Sequence, residues 1–211
     1  MEFKQEDVDN LLTIMQNRRD VRGNRFLNKP IEKEKIDLIL EAAVTAPSVG
    51  YSQPWEFVLI DDAEKKDEIF NIYEEENEKA KLIFEHRPMY ERLKLEGIKE
   101  APLNIAVLYK ETKEDVLGQT SMSKMGEYSV VCAVQNMWLM ARALNIGMGW
   151  VSILDDKKVI KTIGATSEHK LVAYICLGYV NGFLTEPELK TLGWEKQKEV
   201  KSFISYNIYN K

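Results

Sequence analysis

Cysteine and histidine are scarce, with two of each in 211 residues. Cys132 and Cys176 cannot make a disulfide framework, and both sit in apolar text, so nothing asks for an oxidising compartment. Together with His86 and His169 they form no CxxC, HxxxH or HExxH spacing, which argues against a zinc site. Neither histidine lies in a context that suggests a Ser-His-Asp set. Glycine and proline number only 11 and 6. No Pro/Gly/Ser-rich stretch divides the chain and no internal repeat occurs, so one domain over residues 1–211 is expected. GxxxxGK[ST] and GxGxxG are both missing, which removes the P-loop and the Rossmann fingerprint. No apolar run approaches the roughly 20 residues of a membrane span. The N-terminal text MEFKQEDVDN is acidic and polar, unlike a signal peptide. A soluble, cytoplasmic protein is expected. Positive charge is in deficit: 29 Lys and Arg against 34 Asp and Glu leave a net charge of −5, which argues against a general nucleic-acid binder.

The arginines that are present are bunched. Of seven in the chain, Arg18, Arg19, Arg22 and Arg25 fall within eight residues. Guanidinium is suited to planar, bidentate recognition of phosphate, so this cluster on an acidic chain suggests a local anionic ligand. A solvated basic turn paired with nearby acids is the plainer reading. Asp20 stands inside the cluster, where neighbouring cations should favour its ionised form. It could balance the arginines or exchange protons with a ligand.

Two further segments could carry chemistry. Ala46-Pro47-Ser48-Val49-Gly50-Tyr51-Ser52-Gln53-Pro54-Trp55 reads as an irregular loop between a helix and a strand, a common place for a ligand. Ser48, Ser52 and Gln53 add hydrogen-bonding groups. Gly147-Met148-Gly149-Trp150-Val151-Ser152 places glycines at the entrance to a strand, permitting close backbone approach. Strand alternation points Ser152 opposite Val151. Taken singly, the loop is equally a plain connector, and most such serines simply bond to backbone. Together the segments make an anion cradle without a self-sufficient catalytic set, which suits a phosphate-bearing cofactor that brings its own chemistry.

Periodicity organises the rest. Val8, Leu11, Leu12 and Met15 predict a first amphipathic helix running toward Arg18, and 31–44 a second, ended by Pro47. Strands are expected over 54–60, 104–109, 149–154 and 171–179. A long charged helix is expected over 63–84, with a solvated face. The helix predicted over 129–144 is apolar on nearly every side, which points to a central core helix. The tail from Pro187 shows little core-like periodicity. The fold class is α+β, a sheet covered by helices.

The blocks RRDVRGNRF (18–26), APSVGYSQPWEF (46–57), LKLEGIKEAPLNIAV (93–107), YSVVCAVQNMWLMARALNIGMGWVSIL (128–154), LGYV (177–180) and PELKTLGW (187–194) resemble the nitroreductase-like flavoprotein superfamily. Within it they are most similar to the BluB-type branch, the 5,6-dimethylbenzimidazole synthases. The resemblance implies an FMN-binding α/β sandwich with a mostly antiparallel central sheet, forming an intertwined homodimer with two interfacial FMN sites. It implies that Arg18, Arg19 and Arg22 hold the FMN phosphate and ribityl region, with Asp20 and Val21 between them. Pro47, Ser48, Val49, Gly50 and Gln53 would lie against the flavin, and Gly149, Trp150, Val151 and Ser152 would approach the ring from the other side. Asp20 and Ser152 occupy the positions that matter for chemistry in this branch. The implied reaction consumes reduced FMN and dioxygen and yields 5,6-dimethylbenzimidazole and erythrose 4-phosphate. A separate flavin reductase would supply the reduced FMN. The segment 63–97, with Arg87, Met89 and Tyr90, is a candidate cover that excludes water. Ordinary nitroreductases commonly read PSSxNxQPW and carry Ser in the third place of RRxxR. Here Val49, Tyr51 and Asp20 depart from that pattern, weakening the alternative of an NAD(P)H-dependent nitroreductase or flavin reductase. Glu195 stands after Trp194 where a basic residue is often found, leaving Lys196 and Lys198 as candidates to complete the phosphate site.

Overall fold

The computed structural model describes residues 1–209. A four-stranded sheet in the order β1-β2-β4-β3 forms its middle layer, from β1 (Trp55–Ile60), β2 (Leu103–Lys110), β3 (Gly147–Val151) and β4 (His169–Gly178). All three neighbouring pairs are antiparallel. The inner strands β2 and β4 are covered on both faces, which is why each reads as an unbroken apolar run rather than an alternating one. Their alternation is still present in space. Ile105, Val107, Tyr109, Ala173, Ile175 and Leu177 enter one core, and Ala106, Leu108, Tyr174 and Cys176 enter the other.

The first core is closed by α2 (Lys33–Val44) and α4 (Met125–Ala143), and the second by α3 (Ala63–Ile83) and α5 (Asp156–Thr162). Asp62 starts α3 by accepting the Lys65 N–H at 2.8 Å, the usual way a carboxylate satisfies an open helix start. Below its charged face, α3 buries a stripe of Ile69, Ile72 and Tyr73.

Two expectations are corrected. The α4 helix buries a single stripe, Val130, Ala133, Val134, Met137 and Ala141, at three- and four-residue spacing. Tyr128, Val131 and Cys132 on its other side are exposed, because the sheet and α2 cover only one face. The third strand stops at Val151 rather than Leu154. Ile153 and Leu154 leave the sheet to pack into the second core, since Asp155 already caps α5 by accepting the Lys158 N–H at 3.0 Å. The first helix, α1 (Gln5–Asn17), forms as expected but buries none of its residues.

Candidate functional site

The arginine segment begins where α1 ends, with Arg18 in extended backbone. From there the chain runs beside β3. Asp20 and Met148 form a parallel bridge, and the Val21 N–H donates to the Met148 carbonyl at 3.1 Å. The approach is close enough to require glycine at position 149, where an added Cβ would lie 2.1 Å from the Val21 carbonyl oxygen. Asp20 Oδ1 accepts the Trp150 N–H at 3.1 Å. The predicted arginine cluster and glycine-rich strand entrance are therefore one unit. Val21 is buried, so its side chain serves packing.

Each arginine has a different fate. The Arg18 guanidinium lies 4.5 Å over the Trp138 ring, and among the described residues it donates no hydrogen bond, leaving its five N–H donors for a ligand. Arg19 Nη1 donates to the carbonyls of Gln16 and Arg18, each at 2.7 Å, and Nη2 donates to Thr185. Its Nε is buried and unpartnered. Arg22 forms an ion pair with Asp20 and donates to the Leu95 carbonyl at 2.9 Å. The Trp138 indole N–H donates to the Arg19 carbonyl at 3.3 Å and packs against Trp150 at 6.4 Å.

Burial raises the Asp20 carboxyl above the ordinary carboxylate range. Arg22, the Trp150 N–H and Arg18 pull it down, while Glu188 adds to the rise. The expectation that the arginines would favour the ionised form is right about their sign, but desolvation outweighs them. Burial likewise lowers Arg18 from the usual arginine value.

Arg18, Arg19, Asp20 and Arg22 line a cleft of about 330 Å³, within the ~300–1,000 Å³ span of small-molecule sites. Its other walls are Met15 and Gln16 at the end of α1, Leu93–Leu95 and, from the C-terminal stretch, Leu184 and Pro187–Leu189, the last three at the start of the short helix α6 (Glu188–Thr191). Lys94 and Glu188 are thus cleft residues that the arginine pattern alone did not reveal. Lys94 does stand in the LKLEGI block. Lys196 and Lys198 are exposed and do not line the cleft. Of the expected cover, Arg87 lies 3.4 Å over the Trp194 ring, and Tyr90 stacks on Phe84 at 5.0 Å and donates to Asn77 at 2.9 Å. These side chains brace the C-terminal stretch, and the wall itself comes a few residues later.

The loop before β1 is strongly bent, with Gly50, Tyr51 and Gln53 all in the left-handed region at φ 56°, 55° and 47°. For the two non-glycines this is a conformation that persists only when surroundings enforce it. Two side chains do so. Ser48 Oγ accepts the Gln53 N–H at 3.1 Å. Ser129, which sequence reasoning missed, accepts the Val49 N–H at 3.1 Å while donating to the Met125 carbonyl at 2.7 Å. Ser52 and Gln53 face a second cleft of about 420 Å³; Pro47, Ser48, Val49 and Gly50 do not line it.

One chain does not bring this loop to the arginines. The loop enters β1 at one sheet edge, whereas Asp20 lies beyond β3 at the other, four strand spacings or about 19 Å away. Trp55 is in register with Tyr109, and Met148 with Leu177, which faces Leu103. That adds six residues along the strand, about 20 Å. Ser152 is exposed just beyond β3, three residues or about 10 Å past Gly149, and no hydrogen bond joins it to Asp20 among the described residues. Its predicted strand alternation does not apply, since it is outside the strand.

The chain belongs to the nitroreductase family, whose signature matches residues 15–179. It is 41% identical over 194 residues to the 5,6-dimethylbenzimidazole synthase of Rhodospirillum rubrum, covering 90% of this chain and 91% of that protein. It is 34% identical to the 5,6-dimethylbenzimidazole synthase of Rhodobacter capsulatus, covering 93% and 96%. Nitroreductase A from Vibrio parahaemolyticus shares the fold, with a TM-score of 0.72 at 18% identity over 96% of this chain and 78% of that one.

Proposed function

We propose that this protein is a 5,6-dimethylbenzimidazole synthase, which consumes reduced FMN and dioxygen and releases 5,6-dimethylbenzimidazole and erythrose 4-phosphate. The observation that carries the reading is the 41% identity, over nine-tenths of both chains, to a protein of that name. The cleft agrees with it. Arg18 offers unused donors and Arg19 a buried, unpartnered Nε, which fits a phosphate monoester. FMN supplies the oxygen-reactive ring, and the chain binds, orients and shields it. Arg18 and Arg19 hold the phosphate, Arg22 and Asp20 face the ribityl chain and ring, and Asp20 moves a proton there. Burial lifts Asp20 above the ordinary carboxylate range, the direction that suits a carboxyl to proton transfer.

The loop carrying Pro47, Ser48, Val49, Gly50 and Gln53 completes the site from a second copy of the chain, since within one copy it lies at the opposite sheet corner. Gly149, Trp150, Val151 and Ser152 approach from the same copy as the arginines, and Ser152 positions the flavin or oxygen once the partner covers it. We read residues 1–211 as one flavin-binding domain of a cytoplasmic homodimer that receives reduced FMN from a separate flavin reductase.

Aerobic incubation with chemically reduced FMN, followed by chromatography, tests this reading. 5,6-Dimethylbenzimidazole should accumulate as FMN is lost. Steady NAD(P)H turnover on a nitroaromatic acceptor with intact flavin recovered would replace it with the nitroreductase reading.

A further inference from the structure

Glu96 is a carboxylate in a place where carboxylates are rarely left without purpose. It is 2% exposed, and an ionised group is buried this far only when paired. Both oxygens are engaged. Oε2 accepts the Ile98 N–H at 2.7 Å, and Oε1 takes the Lys94 ammonium, which also contacts Glu100 at 2.8 Å. The side chain thereby ties residues 94, 96 and 98 into one shape, although residues 93–97 form no helix or strand.

That shape presents two backbone acceptors to the arginine segment. The Leu95 carbonyl accepts Arg22 Nη1 at 2.9 Å, and the Glu96 carbonyl accepts the Gly23 N–H at 2.8 Å. The segments are in such close contact that an added Cβ on Gly97 would come within 2.7 Å of the Phe26 ring and 3.1 Å of the Gly23 nitrogen. Arg22, held on one side by Leu95, is ion-paired on the other with Asp20.

We propose that Glu96 is a positioning residue, holding the 94–98 connector so that the Leu95 carbonyl fixes Arg22 against Asp20. Its consequence for catalysis rests on the proton-transfer role proposed above for Asp20; its consequence for Asp20 itself does not. The groups acting on Asp20 are Arg18 and Arg22 from its own segment, the Trp150 N–H from β3 and Glu188 from α6. Lys94 shares the cleft. Arg22 is the strongest of those that favour the Asp20 carboxylate, so loosening it should raise the pH at which Asp20 titrates.

The experiment is a carbon-13 NMR titration of ligand-free, full-length protein with labelled Asp side-chain carboxyls, Asp20 being assigned by the signal lost in Asp20→Asn. In Glu96→Gln, the Asp20 midpoint should move up by about one unit, the lower end of what loss of a cationic partner does to a carboxylate. The sign is decisive. Removing a negative charge acts directly on Asp20 in the downward direction, and a merely structural role lowers thermal stability with no shift. A midpoint unchanged or lowered overturns the proposal. Glu96→Asp keeps the charge but is too short for both contacts, and the same upward shift is expected, so it carries the test if Glu96→Gln does not fold. In product assays the acid limb of the pH profile should move with the NMR midpoint. If Asp20→Asn retains full product yield, the catalytic role of Asp20 falls while the titration still decides the role of Glu96.

Discussion

Asp20 and Arg18 stand two positions apart in the sequence and do opposite things. Asp20 is committed to Arg22 and the Trp150 N–H, whereas Arg18 is committed only to the face of Trp138. Asp20→Asn should therefore keep reduced-FMN binding within a few-fold and lose product formation by about 10²-fold or more, the usual contribution of a positioned proton-transfer group. Anaerobic calorimetry and product chromatography separate the two effects; wild-type yield from the mutant would remove Asp20 from the mechanism. Because burial raises the folded-state value of Asp20, the carboxylate is lost on acidification at a pH above the ordinary aspartate range, and the acid limb of the rate profile should lie there. The same sign makes Asp20 unfavourable to folding at neutral pH, a penalty relieved as pH falls through the raised value. Arg18→Ala should weaken FMN by about 10- to 100-fold, since charge-assisted hydrogen bonds contribute ~1.5–3 kcal/mol. Riboflavin, which lacks the phosphate, should be affected little. Equal losses for both ligands would place the phosphate elsewhere.

Among elements, the proposed site depends on two joints. One is the contact between the arginine segment and β3. Gly149→Ala drives a Cβ onto the Val21 carbonyl, a backbone atom that cannot swing aside. Overpacking of this kind costs about 1–3 kcal/mol, and urea denaturation should show that loss together with weakened flavin binding. A stability within 0.5 kcal/mol of wild type, a threshold set by typical surface substitutions, would mean the segment relaxes freely. The other joint is Ser129, through which α4 holds the bent 47–53 loop. The RRDVR block, the glycine-rich entrance and the loop were each legible as unusual local text, because glycine, proline and clustered arginine act over a few residues. Ser129 and Lys94 were not, because their importance comes from partners remote in sequence or from a cleft built by several segments.

For the whole molecule, exposed apolar surface is the leading observation. Val8, Leu11, Leu12 and Met15 of α1 remain 45–53% exposed, and Tyr128 and Val131 of α4 join them, as do Val200, Phe203 and Ile204 in the tail. These residues are candidates for the interface that the proposed dimer requires, on the same chain whose 47–53 loop lies far from its own arginines. Light scattering should give a mass twice the 24.4 kDa of one chain. Leu11→Glu combined with Leu12→Glu should shift the protein to monomer and abolish tight FMN binding without unfolding it. A monomeric variant that retained FMN affinity would show that one chain suffices.

Local sequence carried the fold class, the strand and helix succession and the unusual local text of the two candidate segments. Period-two and period-four apolar spacing report directly on which faces are covered, and the motif blocks carry the family. It also misled where a neighbour intervened. The apolar run of α4 promised burial on all sides, and the run after Gly149 promised a strand reaching Leu154, but burial depends on what lies opposite and the Asp155 cap ended the strand. The carboxyl of Asp20 went the same way: arginines close in sequence favour the carboxylate, while desolvation, which depends on the tertiary surroundings, outweighs them and raises it. Which arginine is left free, which carbonyl holds Arg22 and which sheet corner carries the arginine segment or the 47–53 loop are tertiary facts, because they are set by contacts between segments far apart in the chain, and no local pattern encodes those distances.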